Sequence, residues 1–224
     1  MKIALIKQET GYVGNIDRDA YASKVKDVLE SKADVVVGSE FALGNKNNLI
    51  SVNDFAQYCN NLSKYVKNKQ LLVPGTALVV DRQHKTLANI APVIFKDRVF
   101  NVMKMTSVLE ETIAQKLDLE YVKGGLGDSV FYYSGKKATL EICRDHAHAK
   151  LRASGVRDSD LGVVVACDLP GGISPSKITV KEGGLIVFND GARQNNSCIY
   201  WLDNDKLQIL PQISKQNYDL VEVY

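Results

Sequence analysis

Residues 33–41 read ADVVVGSEF. Three consecutive valines between Asp34 and Gly38 make an unbroken apolar run, the pattern of a strand covered on both faces. Such a strand needs a layer against each side, so its neighbours decide the architecture. Upstream, KIALIKQ (2–8) is a short strand candidate and GYVGNID (11–17) a loop. RDAYASKVKDVLESK (18–32) is a helix with Tyr21, Val25, Val28 and Leu29 on one stripe. Downstream, NDFAQYCNNLSKYVKN (53–68) repeats the helical spacing with Phe55, Cys59, Leu62 and Val66, and Ser51 or Asn53 is placed to cap it. The opening is β-α-β-α, which indicates an α/β layered fold.

The centre changes character. LLVPGTALVV (71–80), TLANIAPVIF (86–95) and RVFNVMK (98–104) are strands joined by DRQHK and KD, turns short enough to make successive strands antiparallel. Residues 105–128 carry no regular pattern. SVFYYSGKKATLEIC (129–143) is a hairpin around SGKK, and a short helix follows near HAHAKLRASG (146–155). Then come the strand LGVVVACDL (161–169), the loop PGGISPSK (170–177), the strand GLIVFND (184–190) and a hairpin in CIYWLDNDKLQIL (198–210). No repeat, low-complexity tract or linker interrupts residues 1–224, so one domain is expected.

Composition narrows the function classes. The 224 residues carry a net charge of +2, too weak a field to point to nucleic acid or an acidic membrane surface. There is no apolar run of about 18 residues or more, so no membrane span is expected. The apolar run at the N-terminus is too short for a signal peptide. Cys59, Cys143, Cys167 and Cys198 are scattered and read as reduced thiols of a cytoplasmic protein.

Three ionisable residues stand where strands end: Glu40 after DVVVGS, Lys104 after RVFNVM and Cys143 after TLEI. Sites in α/β sheets lie beyond the carboxyl ends of strands, so the three can share one pocket. Their chemistry is complementary. A free thiol has a pKa near ~8.5 and is mostly protonated at neutral pH. A carboxylate can take its proton, and the thiolate can attack an acyl carbon. A lysine ammonium can hold the oxyanion, with the N–H of Arg144 as a second donor. Together they suit acyl transfer from an amide or nitrile through a thioester.

These segments resemble the motifs of the nitrilase, or carbon–nitrogen hydrolase, superfamily. ADVVVGSE is similar to that family's apolar strand ending in Pro-Glu, with Ser39 in place of the proline. NVMKMTSVLEE supplies a strand-end Lys104 and, seven residues on, Glu111; LEICRD supplies the Cys-x-Asp of Cys143 and Asp145. Weaker echoes are Asn89 in TLANIAPVIF and VFNDGA near the family's late Asn-x-x-Gly turn. The resemblance implies a four-layer α-β-β-α sandwich, a small amide substrate and no metal or organic cofactor. It implies Glu40 as general base, Lys104 as oxyanion stabiliser, Cys143 as nucleophile and Glu111 as a second carboxylate. Family members commonly pair as homodimers. His146, at the start of the helix after the nucleophile, and Asn189 in VFNDGA are the expected substrate-binding residues.

The same residues admit other readings. A cysteine ending an apolar strand is ordinarily core packing, and Glu110 is an alternative to Glu111 because the two are adjacent. Cys143, His146 and His148 are dense in metal-capable atoms, but no second Cys/His pair follows to complete a structural zinc site. The family's aromatic-Pro-Glu element after the nucleophile is replaced here by HAHA, and SPSKITVKEGG shortens a region that usually holds a helix. Those departures keep a binding module without turnover open as a rival, and an acyltransferase using the same cysteine as another.

Overall fold

The computed structural model describes residues 1–8, 15–169 and 171–223, Gln194 by its backbone only. The expected loop at 11–17 therefore lies outside the described residues as far as residue 14, as does Pro170 of the loop at 170–177. In chain order the elements are β1 (Lys2–Ile6), α1 (Arg18–Glu30), β2 (Val35–Val37), β3 (Ile50–Ser51), α2 (Val52–Ser63), β4 (Leu71–Val73), β5 (Ala77–Asp81), β6 (Thr86–Phe95), β7 (Arg98–Met103), α3 (Leu109–Lys116), β8 (Glu120–Tyr121), β9 (Val130–Tyr133), β10 (Lys136–Ile142), α4 (Arg144–Ala147), α5 (Lys150–Ala153), β11 (Ser159–Ala166), β12 (Val180–Asp190), β13 (Cys198–Asp203), β14 (Lys206–Ile209), β15 (Ile213–Ser214) and β16 (Tyr218–Glu222).

Two sheets result. The first runs β15-β16-β1-β2-β4-β6-β5-β3, with β7 and β8 also paired to β6; the second runs β14-β13-β12-β11-β10-β9. Strand alternation sorts the first sheet's side chains between two layers. Ile3, Leu5, Val35 and Val37 face the second sheet's Ala138, Leu140, Ile142 and Val163 in one core. Their neighbours Ala4, Ile6 and Val36 face the other way, onto Tyr21, Val25 and Val28 of α1 and Phe55, Cys59 and Leu62 of α2. Both helices start on side-chain caps: Asp17 accepts from the N–H groups of Asp19 and Ala20, and Ser51 from that of Asp54.

The layer order is α-β-β-α, with a thin fourth layer. Glu141 alternates with the core residues Leu140 and Ile142 and so faces away from the first sheet. There it meets His146 of α4, and only the single turns of α4 and α5 follow β10. Among the described residues no helix is long and apolar enough to cross a membrane.

Local chemistry explains where strands turn. The β9–β10 hairpin turns at Ser134 and Gly135 (φ 49° and 76°), and β13–β14 turns at Asn204 and Asp205 (φ 50° and 59°). Two successive positive φ values make the tight turn whose twist suits a hairpin. LLVPGTALVV is two strands, not one. Pro74 has no N–H for a ladder and Gly75 takes φ +104°, so β4 stays parallel to β2 while β5 crosses to the far side of β6. Residues 105–128, patternless in sequence, contain α3 and β8. The last strand, β16, pairs antiparallel with β1 from Lys2↔Glu222 to Ile6↔Tyr218, so β1 is not a bare edge.

Candidate active site

β2, β7 and β10 end on the same side of the sandwich, and Glu40, Lys104 and Cys143 leave those ends. The turn carrying Glu40 is fixed by the segment after β4. Thr76 accepts from Phe41 N through Oγ1 (2.9 Å) and from Leu43 N through its carbonyl (3.0 Å). A Cβ on Gly75 would lie 2.1 Å from the Ser39 carbonyl oxygen, so only glycine permits that approach. Glu40 N donates across the sheets to Ala166 O (3.2 Å), and within the second sheet Cys143 N donates to Val165 O (2.9 Å).

The side chains converge in a buried cluster. Lys104 Nζ donates to Oε1 of Glu40 and to Oε1 of Glu110, each at 2.7 Å, with the three side chains 4%, 1% and 1% exposed. Asn89 Nδ2 donates to the same two oxygens at 3.0 Å each. Ser107 Oγ donates to Glu110 Oε2 and accepts from Glu110 N (3.1 Å). The Cys143 thiol meets the Glu40 carboxylate, and its Sγ lies 3.9 Å from the Cys167 carbonyl oxygen. Asp145 ties α4 to the lysine-bearing segment, its carboxylate accepting from Met105 N (3.0 Å) and Thr106 N (2.6 Å).

The two glutamates share a lysine yet are pushed apart. Burial raises Glu40 above the ordinary carboxylate range, and the Lys104 ammonium only partly offsets it. Burial acts on Glu110 too, but there Lys104 together with the Ser107 and Asn89 hydrogen bonds outweighs it and the carboxyl is held low. Lys104 loses charge stability by burial and regains more from Glu40 and Glu110, so it stays an ammonium. Burial, and then the Glu40 charge, push the Cys143 thiol up. The resting cluster is a neutral thiol beside a raised carboxylate, with a fixed cation and a fixed anion behind it. Such a split is how paired carboxyls divide acid–base roles.

Cys143 itself is backbone-strained, at φ +47° and ψ −98°. Non-glycine residues in such regions cost about 1–3 kcal/mol and cluster at functional sites.

Several expected site residues stand elsewhere. Glu110 is the second carboxylate at Lys104; Glu111 points outward and pairs with Lys123 at 2.8 Å, because α3 turns the Glu110, Ile113 and Ala114 stripe inward. His146 does not face the thiol: it is 1% exposed and its Nδ1 lies 2.9 Å from Glu141 Oε2 on the outer face. Asn189 spends its amide between the sheets, Nδ2 donating to Val37 O (2.7 Å) and Ile6 O (3.3 Å) and Oδ1 accepting from Ser197 Oγ (3.1 Å). Those bonds stitch the ends of β1 and β2 to β12. The Arg144 side chain is exposed, and its backbone N follows Cys143 directly. His148 is exposed as well, and among the described residues no three His, Cys, Asp or Glu side chains converge to hold a metal. Cys167 is half-buried near Glu40, and burial pushes its thiol to about 12.

No family model and no curated protein matches the sequence. Solved structures do match. One is a glutamate-to-glutamine variant of the amidase from Nesterenkonia sp. AN1, showing the result of Michael addition of acrylamide at the active site cysteine. It has a TM-score of 0.71 and 16% identity, over 100% of this chain and 93% of that one. A cysteine-to-alanine variant of the same amidase, in complex with butyramide, gives 0.70 and 16% over 100% and 90%. A further cysteine-to-alanine structure, described as an amidase from the nitrilase superfamily, gives 0.70 and 15% with the same coverage. The chain has the nitrilase-superfamily fold.

Proposed function

We propose that this chain is a nitrilase-superfamily amidase that hydrolyses a small non-peptide amide through a thioester on Cys143. One observation carries the reading. A buried ammonium bridges two carboxylates at 2.7 Å, and the raised one of the two meets the strained cysteine. In the cycle, Glu40 removes the thiol proton as sulfur attacks the carbonyl carbon. Lys104 and the Arg144 N–H hold the oxyanion, Glu40 returns the proton to the leaving amine, and a water activated by Glu40 hydrolyses the thioester. Glu110 holds the lysine between attack and release, and Asn89 donates to both carboxylates. The neighbouring amidase, with butyramide bound in one variant and a cysteine adduct in another, supports an amide over a nitrile.

Pairing of two copies through the outer surfaces belongs to the same reading. The direct experiment is release of ammonia from a panel of short aliphatic amides by the wild-type chain and by Cys143→Ala. Turnover that vanishes in the variant supports the reading. Turnover that survives it refutes the nucleophile, and transfer to added amines in preference to water would make the enzyme an acyltransferase.

A further inference from the structure

The second sheet's outer face holds a buried polar pair that the proposed cycle does not use. Glu141 is 3% exposed and His146 1%, and they meet at 2.9 Å through Oε2 and Nδ1. Glu141 Oε1 and His146 Nε2 have no hydrogen-bond partner among the described residues. Leaving such atoms unpaired is costly, and a buried charged or polar pair is often no more stabilising than apolar residues of similar volume. Stability alone does not account for a buried Glu141–His146 pair with one polar atom of each left unpaired.

Their position does. Glu141 is two residues before Cys143 and His146 three after it, so their bond closes a loop around the nucleophile. The enclosed residue is the one at φ +47° and ψ −98°. A strained conformation persists only where its surroundings over-determine it. The strand side is fixed by Cys143 N on Val165 O (2.9 Å), and the helix side by Asp145 on Met105 N and Thr106 N. Neither of those bonds links the two sides of the turn to each other. The Glu141–His146 bond does, and it also sets the direction in which α4 departs and where the Arg144 N–H points.

We infer that the Glu141–His146 hydrogen bond braces the turn at Cys143, making His146 a positioning residue for the nucleophile. The inference rests on the reading of Cys143 as nucleophile. In it, His146 donates through Nδ1–H to Glu141 Oε2, a tautomer assigned by that contact. Any side chain that puts a donor where Nδ1 stands keeps the brace.

The test compares two polar variants of similar packing. His146→Asn places its amide N–H near the Nδ1 position; His146→Gln places it near Nε2, out of reach of Glu141. The primary readout needs no substrate: the rate at which iodoacetamide alkylates Cys143 near pH 7, followed by peptide mass spectrometry. His146→Asn should stay within about threefold of wild type. His146→Gln should lose about tenfold to a hundredfold, the scale on which a displacement of roughly 1 Å at a reacting group acts. On amides the loss should fall on kcat with KM little changed. Glu141→Gln, isosteric and still an acceptor, should behave like His146→Asn and guards against a histidine-specific folding defect. Equal rates for the Asn and Gln variants, high or low, overturn the inference, as does loss in Glu141→Gln. Absence of amidase turnover with the alkylation pattern intact would instead count against the amidase reading.

Discussion

Replacing Lys104 by methionine removes the cation from between two carboxylates that are each 1% exposed. Methionine matches the stem's volume, so the change is chiefly electrostatic. Breaking a buried ion pair by removing one partner costs about 3–5 kcal/mol. For a chain of this size 1 kcal/mol moves Tm by roughly 2–4 °C, so a fall of about 6–20 °C is expected. The sign with pH is also fixed. In the wild type, Glu110 is held low, so its contribution is present above the ordinary glutamate pKa of about 4.3 and is lost as pH falls through its folded value. Without Lys104, burial raises both glutamates, and the folded state then binds more protons than the unfolded. The variant should therefore be least stable in the alkaline range and recover as pH falls toward about 5. Urea unfolding at about pH 5.5 and pH 8 reads both effects. Adding Glu110→Gln to the variant should restore part of the loss at the higher pH, since one of the two uncompensated charges is gone. A Lys104→Met protein within about 1 kcal/mol of wild type at both pH values would refute the buried cluster.

Further outcomes follow from the same geometry. Glu111→Ala should leave stability within about 1 kcal/mol and activity nearly unchanged, because only a partly exposed pair with Lys123 is lost; Glu110→Ala should abolish turnover, and parallel assays on amides compare them. The pH profile of kcat/KM should rise through an acid limb above the usual carboxylate range as Glu40 loses its proton. It should then stay flat until strongly alkaline pH, because Lys104 and Cys143 are both pushed upward. Asn189→Leu should lower stability by about 2–4 kcal/mol, through buried strand-end carbonyls left without donors, while Cys143 alkylation stays near wild type; unchanged stability with a large rise in KM would restore Asn189 as a ligand contact.

What the sequence made legible were features that local chemistry dictates. The valine run of β2, the stripes of α1 and α2, and the three strand ends bearing Glu40, Lys104 and Cys143 all stand where reading along the chain places them. The choice between Glu110 and Glu111 failed because it counted residues from Lys104, whereas the facing direction is set by α3. Glu110 lies on one stripe with Ile113 and Ala114, a signal present in the sequence but hidden by treating 105–128 as irregular. Nothing local to LLVPGTALVV says that β4 and β5 part to opposite sides of β6, beyond the Pro-Gly at its centre. One partner of β16, β1, is more than two hundred residues away, and Asn189 bonds to the last carbonyl of β1 and the last of β2, contacts that only tertiary packing creates. Nearness in sequence to Cys143 suggests a pocket role for His146, but a helix beginning at 144 turns it to the opposite face.

The central claim is that sulfur 143 carries the acyl group. Mixing the enzyme with a reactive small amide, quenching in acid within the first turnovers and weighing the intact protein reads that directly. The account predicts a mass increase of one acyl group, mapped to the peptide containing Cys143 and absent in Cys143→Ala. An acyl group on Cys59, Cys167 or Cys198, or steady turnover with no adduct in the wild type and undiminished release in Cys143→Ala, would contradict it.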